Sequence, residues 1–117
     1  MAIETYRDLE IWKKGIELVK SIYNLTEKFP RQETYGLIRQ MRRSAISIPS
    51  NVAEGFKRFH NKEYKQFLYV TLGSCAELET QFTIARELNY IQQNHETVLL
   101  EKLDHIGRMI SNLLKKL

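Results

Sequence analysis

Apolar residues recur at alternating steps of three and four along four stretches of this 117-residue chain. That pattern constrains the fold more than any other feature. Leu9, Trp12, Ile16, Val19 and Tyr23 mark the first stretch, over about 8–28, and Ile38, Met41, Ala45, Ile48 and Val52 the second, over about 33–57. Tyr64, Leu68, Thr71, Cys75, Leu78, Phe82 and Ala85 mark the third, over about 62–89. Leu99, Leu103, Ile106, Ile110, Leu113 and Leu117 mark the fourth, over about 95–116. Such spacing places each set on one face of an α-helix. Five Gly and two Pro supply too few turns for an all-β fold.

The ends of these stretches carry helix punctuation. Asp8, Asn61 and Asn94 are N-cap candidates, and Phe29-Pro30 stops the first helix because proline disfavours helix in the residue before it. Gly55 reads as a C-cap of the second. Pro49 lies inside the second helix, where it removes a donor and crowds the Ala45 carbonyl. A kink or short break is expected there, with nearby serine hydroxyls filling the freed space. Links of about four to six residues make successive helices antiparallel neighbours. The expectation is all-α: one up-down-up-down four-helix bundle over residues 1–117, without linker, low-complexity segment or repeat.

Charge is distributed unevenly. Eighteen Lys and Arg against 14 Asp and Glu give +4, which says little about partners. Residues 1–30 are balanced, 31–65 carry +5, 66–101 carry −4 and 102–117 carry +3. A basic segment is thus followed by an acidic one. No apolar run approaches the roughly 20 residues needed to cross a bilayer. The segment Met1–Asp8 contains acids and no apolar core of a signal peptide. With a single cysteine there is no disulfide within the chain and no cysteine-based zinc site. These readings point to a cytoplasmic protein without a membrane partner.

Catalytic chemistry finds little support. Helical bundles hold di-iron sites with Glu-x-x-His motifs, and none occurs here. Glu101 and His105 stand at an ordinary surface spacing, His60 and Glu63 suit a helix start, and His95-Glu96 lacks a second His at metalloprotease spacing. Cys75 sits at an apolar position and reads as a buried structural thiol. Ser74 follows Gly73, but neither Gly-x-Ser-x-Gly nor a phosphate-binding Gly-rich loop is present. The expectation is a non-enzyme with no metal or cofactor.

Two polar features remain. Beside the apolar seam of the second helix runs a stripe of Gln40, Arg43, Ser47, Asn51, Glu54 and Arg58. Gly73, Ser74 and Glu77 form a small polar stripe on the third. Ser47, Asn51, Glu54, Gly73, Ser74 and Glu77 are candidates for a subunit interface, with Glu77 within reach of Arg42 or Arg43. Self-complementarity would then explain the basic-then-acidic order. The competing use of the cations is nucleic-acid binding. Arg39, Arg42 and Arg43 fall at i, i+3 and i+4, and Lys57, Arg58, Lys62 and Lys65 cluster at the next junction with His60. Tyr64 and Phe59 interleave with them and suit stacking on bases.

Three segments together have a familiar look: Tyr6-Arg7-Asp8-Leu9-Glu10-Ile11-Trp12-Lys13, then Arg42-Arg43 leading into Ser47-Ile48-Pro49-Ser50-Asn51-Val52-Ala53-Glu54-Gly55, then Gly73-Ser74-Cys75-Ala76-Glu77-Leu78-Glu79-Thr80. They resemble the bacterial four-helix bundle family encoded by intervening sequences of large-subunit ribosomal RNA genes. Nearly the whole chain is covered, and the Ser-Ile-Pro-x-Asn-x-Ala-Glu-Gly stretch is specific. That family is similar to the accessory variability determinant of diversity-generating retroelements, a basic homopentameric barrel. The resemblance implies a homopentamer, RNA or DNA as ligand, and a protein partner such as a reverse transcriptase-like protein. Val52 replaces the usual isoleucine, and Thr71-Leu72 replaces the Ala-Arg that often precedes Gly-Ser, with the loss of one cation.

Overall fold

Asp8 closes a tight turn and leaves the start of the first helix to Leu9. In the computed structural model, which describes residues 3–117, Tyr6–Asp8 forms a 3₁₀ turn. Asp8 Oδ2 accepts the Thr5 N–H at 3.2 Å, and Thr5 Oγ1 accepts the Arg7 N–H at 3.2 Å. Met1 and Ala2, the start of the acidic leading segment, lie outside the described residues. Four helices follow: α1 Glu10–Thr26, α2 Leu37–Phe56, α3 Asn61–Glu87 and α4 Gln93–Lys115. Their N-caps are Leu9, Gly36, His60 and Gln92, so the caps expected at Asn61 and Asn94 are displaced by one or two residues. His60 and Gln92 already have extended backbone, and the helices wind directly after them.

Helix α2 begins four residues later than expected because Arg31–Glu33 forms its own 3₁₀ turn. Glu33 Oε1 then accepts the Leu37 N–H at 3.1 Å and satisfies a donor that every helix start leaves open. Successive helices pack on each other, and α4 returns against α1. The result is the expected up-down-up-down four-helix bundle. Its long dimension is 43 Å. The 27 residues of α3 would span about 40 Å at a helical rise of about 1.5 Å, so the bundle is one helix long.

The seams of α2, α3 and α4 are the expected ones. Met41, Ala45, Ile48, Val52, Leu68, Leu78, Phe82 and Ile110 have no exposed surface, and Leu103 and Ile106 almost none. The seam of α1 is not. Its buried row is Ile11, Gly15, Leu18, Ile22 and Thr26, while Ile16 and Tyr23 are exposed. The first four members each lie one position before the expected Trp12, Ile16, Val19 and Tyr23. The two rows share a period, and the larger side chains point to the wrong one. The true row carries a glycine and a threonine for reasons of fit. A Cβ on Gly15 would stand 3.1 Å from Pro49 Cβ and 3.2 Å from Pro49 Cδ. The proline ring therefore seats on the bare backbone of α1. Thr26 turns its hydroxyl to the Ile22 carbonyl at 2.7 Å and is wholly buried.

Pro49 does not break α2, which runs continuously through it. The serines do not patch the Ala45 carbonyl either: Ser47 Oγ meets Ser74 Oγ at 2.8 Å, and Asn51 Nδ2 donates to the Ser47 carbonyl and hydroxyl, each at 2.8 Å. Gly55 is not a C-cap. It lies within the last turn of α2, where a Cβ would stand 2.9 Å from both Phe67 Cβ and Tyr64 Cδ1. Its role is close approach of α2 to α3.

Candidate functional site

The cations of the chain divide into those that hold helices together and those left facing solvent. Arg42 belongs to the first group. It sits on the α1 side of α2, where Nε donates to Thr26 Oγ1 at 2.9 Å and Nη2 to the Tyr23 carbonyl at 3.5 Å. Its guanidinium lies 4.2 Å from the centre of the Tyr23 ring. Tyr23 is thus a platform for Arg42 and not a core residue. Arg86 belongs to the same group. It donates from Nε to Glu96 Oε1, and Thr83 Oγ1 donates to Glu96 Oε2 at 2.8 Å. This clasp buries Glu96 between α3 and α4.

Of the residues expected at a subunit interface, Ser47, Ser74 and Glu77 line a polar groove between α2 and α3, and Asn51, Glu54 and Gly73 lie outside its lining. Gln40, Arg43, Ser44, Ser47, Ser74, Glu77 and Gln81 line it, with a volume of ≈ 410 Å³. The two small polar stripes do meet, through the Ser47–Ser74 hydrogen bond. The ion pair expected from Glu77 to Arg42 or Arg43 is absent among the described residues. Arg42 points the other way, towards α1, and Arg43 shares the groove with Glu77 without contacting it as an ion pair. Gly73 permits no close approach within the chain, since a Cβ there would touch nothing within 4 Å. Glu54 forms a long i,i+4 pair with Arg58 at 4.0 Å. Gln81 was not anticipated: its Oε1 is buried in this region with no hydrogen-bond partner.

A second surface lies at the end of the bundle where α1 and α3 begin and α2 and α4 end. Tyr6 shares a depression with Ala53, Glu54, Lys57 and Arg58. Around the corner, Leu9, Glu10 and Ile11 adjoin Met109, Asn112, Leu113 and Lys116. The topology therefore brings Arg7, Lys115 and Lys116 to the end that carries Lys57, Arg58, Lys62 and Lys65. Sequence reasoning missed these three because they lie near the chain's two ends, and only antiparallel packing gathers them. Arg7 covers Tyr6 and Trp12 at 5.4 and 5.2 Å from their ring centres, and Lys57 approaches the Tyr6 ring at 6.0 Å. Arg58 lies 4.8 Å from the Phe67 ring. Arg39 is exposed but lies in the first turn of α2, at the opposite end of the bundle. The two aromatics expected to stack on bases differ. Tyr64 packs edge-on against Phe56 at 6.2 Å, and burial pushes its phenol up from the usual value. Phe59, in the turn between α2 and α3, is wholly exposed.

Cys75 is buried, and its thiol is pushed up to about 12 by burial and by the Glu79 charge. A neutral thiol of this kind is a poor nucleophile. Among the described residues no group of three or more His, Cys, Asp or Glu converges as a metal site requires, and no helix is long and apolar enough to cross a membrane.

The 23S rRNA-intervening sequence protein model matches residues 7–112 of the chain. The chain belongs to this family. Its match spans all four helices together with the Tyr6–Asp8 turn, apart from Tyr6 and the last residues of α4. A solved protein of unknown function from the S23 ribosomal protein family of Bacteroides thetaiotaomicron VPI-5482 has the same fold. It is 20% identical with a TM-score of 0.82, over 90% of this chain and 98% of that one. No curated protein matches the chain.

Proposed function

We propose that this chain is a non-enzymatic, homo-oligomeric helical bundle of the cytoplasm that binds RNA or DNA through Arg39, Arg43, Lys57, Arg58, Lys62 and Lys65. One observation carries the reading: of these six cations, five have no acidic partner within 4.0 Å among the described residues, and Arg58 has only a long one. Cations left facing solvent suit phosphate contact, which is independent of sequence and falls steeply with salt. Arg42 is engaged with α1 and contributes position rather than contact. The resemblance to basic pentameric barrels supports five copies and a protein partner such as a reverse transcriptase-like protein.

The test is binding of a labelled structured RNA at about 50 mM salt, where phosphate contacts are strong. Binding that weakens as salt rises supports the reading. Absence of binding at that salt ends it.

A second reading rests on the groove between α2 and α3. Arg43 and Glu77 face the same space without pairing, and such a pair of opposite charges suits a second copy of the chain. In that case the protein is an interaction scaffold and its arginines join subunits. Arg43→Glu then dissociates the oligomer on light scattering, and an unchanged mass counts against the scaffold.

A further inference from the structure

We infer that the basic end of the bundle selects single-stranded over double-stranded nucleic acid, with Phe59 as the residue on which an unpaired base stacks. The inference rests on the nucleic-acid reading and narrows it to a ligand class.

Phe59 is the starting observation. Its side chain is 100% exposed, more than any other large hydrophobic residue described. It projects from a short turn whose neighbours are Lys57, Arg58, His60 and Lys62. Burial elsewhere shows that the bundle had room to hide aromatic rings: Phe29 and Phe82 are buried, and Tyr64 is tucked against Phe56. An apolar ring held in water among cations gives the fold nothing.

The surroundings narrow what could cover it. The seven cations Arg7, Lys57, Arg58, Lys62, Lys65, Lys115 and Lys116 come from the ends of all four helices. The acids beside them are limited. Glu54 is turned to Arg58, Asp8 is held by the Glu4 and Thr5 amides, and Glu10 pairs with Lys13. Glu63 at the α3 start and the exposed Glu4 are the remaining acids. An apolar partner surface would have to bury these cations unpaired, which is costly. A polyanion that also offers flat apolar faces meets both demands. Duplex nucleic acid offers the phosphates but keeps its bases stacked inside. A single strand offers both, and stacking on an aromatic side chain tolerates any base.

The test is fluorescence anisotropy of the full chain with a labelled single-stranded oligonucleotide and with a duplex of the same length, at about 50 mM salt. The single strand is expected to bind at least about tenfold more tightly. Phe59→Ala should weaken the single strand by roughly 5- to 150-fold, the range of base–aromatic stacking, and leave duplex affinity unchanged. Phe59→Trp should restore it, with indole fluorescence quenched on binding. The Lys115→Gln, Lys116→Gln double variant should lower the salt slope by roughly 0.7 for each phosphate that it no longer neutralises. Equal affinity for duplex and single strand overturns the inference and leaves the broader nucleic-acid reading standing. So does a Phe59→Ala variant that binds the single strand as the parent does, or one whose only change is a smaller mass on light scattering. Absence of binding to either probe overturns both.

Discussion

The two ends of the bundle use charge in opposite ways. At the end where α2 and α4 begin, Glu33, Arg86 and Glu96 turn inward and join elements, while Arg31 and Arg39 stay exposed. Glu33 takes the Leu37 N–H with one oxygen and the Tyr90 hydroxyl with the other, at 3.1 and 2.8 Å. Arg86 and Thr83 hold Glu96, and Arg42, farther along α2, is held by Thr26 and Tyr23. At the opposite end Lys57, Lys62, Lys115 and Lys116 make no ion pair among the described residues. Side chains at one end therefore convert charge into stability, and the lysines at the other leave theirs facing solvent. Net charge, being a sum, hides this division.

Mutations can sharpen or break the contrast, and the largest effect belongs to the inward end. Arg86→Ala leaves the buried Glu96 carboxylate without its strongest donor. It should cost about 2–3 kcal/mol in urea unfolding, below the full range for a buried pair because Arg86 is one-third exposed. A cost under about 0.5 kcal/mol, the level of an ordinary surface change, would erase the distinction between the ends. Arg42→Ala loses the Thr26 hydrogen bond and the contact with Tyr23. About 1–2 kcal/mol is expected by the same measurement, and Arg42→Lys should recover only part of it because an ammonium lacks the planar fork.

Glu33 gives a smaller effect with a pH signature. The Leu37 amide, and then the Tyr90 hydroxyl, hold its carboxyl below the ordinary value of 4.5. A lowered folded pKa contributes stability that is fully present above the unfolded value and lost as pH falls through the folded one. The Tm advantage of the parent over Glu33→Gln should therefore be constant at neutral pH and shrink below about pH 4.5. A constant difference down to pH 3 would mean that Glu33 acts by shape alone. At the other end, the Lys57→Gln, Lys62→Gln, Lys115→Gln, Lys116→Gln variant should change stability by no more than about 0.5 kcal/mol. A large loss would show that these cations, too, hold the bundle together.

Legibility in the sequence followed the same division. The seams of α2, α3 and α4 were readable because large apolar residues occupy them without interruption. The α1 seam was misread by one position because Gly15 and Thr26 are chosen for fit, and a hydrophobic pattern does not register fit. The basic cluster between α2 and α3 was legible as a run of sequence. Its extension by Arg7, Lys115 and Lys116 was not, because proximity across the bundle depends on which helix ends meet. Nor could spacing tell Arg42 from Arg43. They are adjacent in sequence, and a rotation of about 100° per residue turns one to α1 and the other to the outer groove.

The seat of Pro49 on Gly15 also acts as a ruler. A ring fitted to one bare spot on the neighbouring backbone admits a single axial setting of α1 on α2. A slip by one helical turn would move α1 by about 5.4 Å and carry Tyr6 and Arg7 away from Lys57. A contact near the middle of the helices thus measures out the spacing of side chains at their tips.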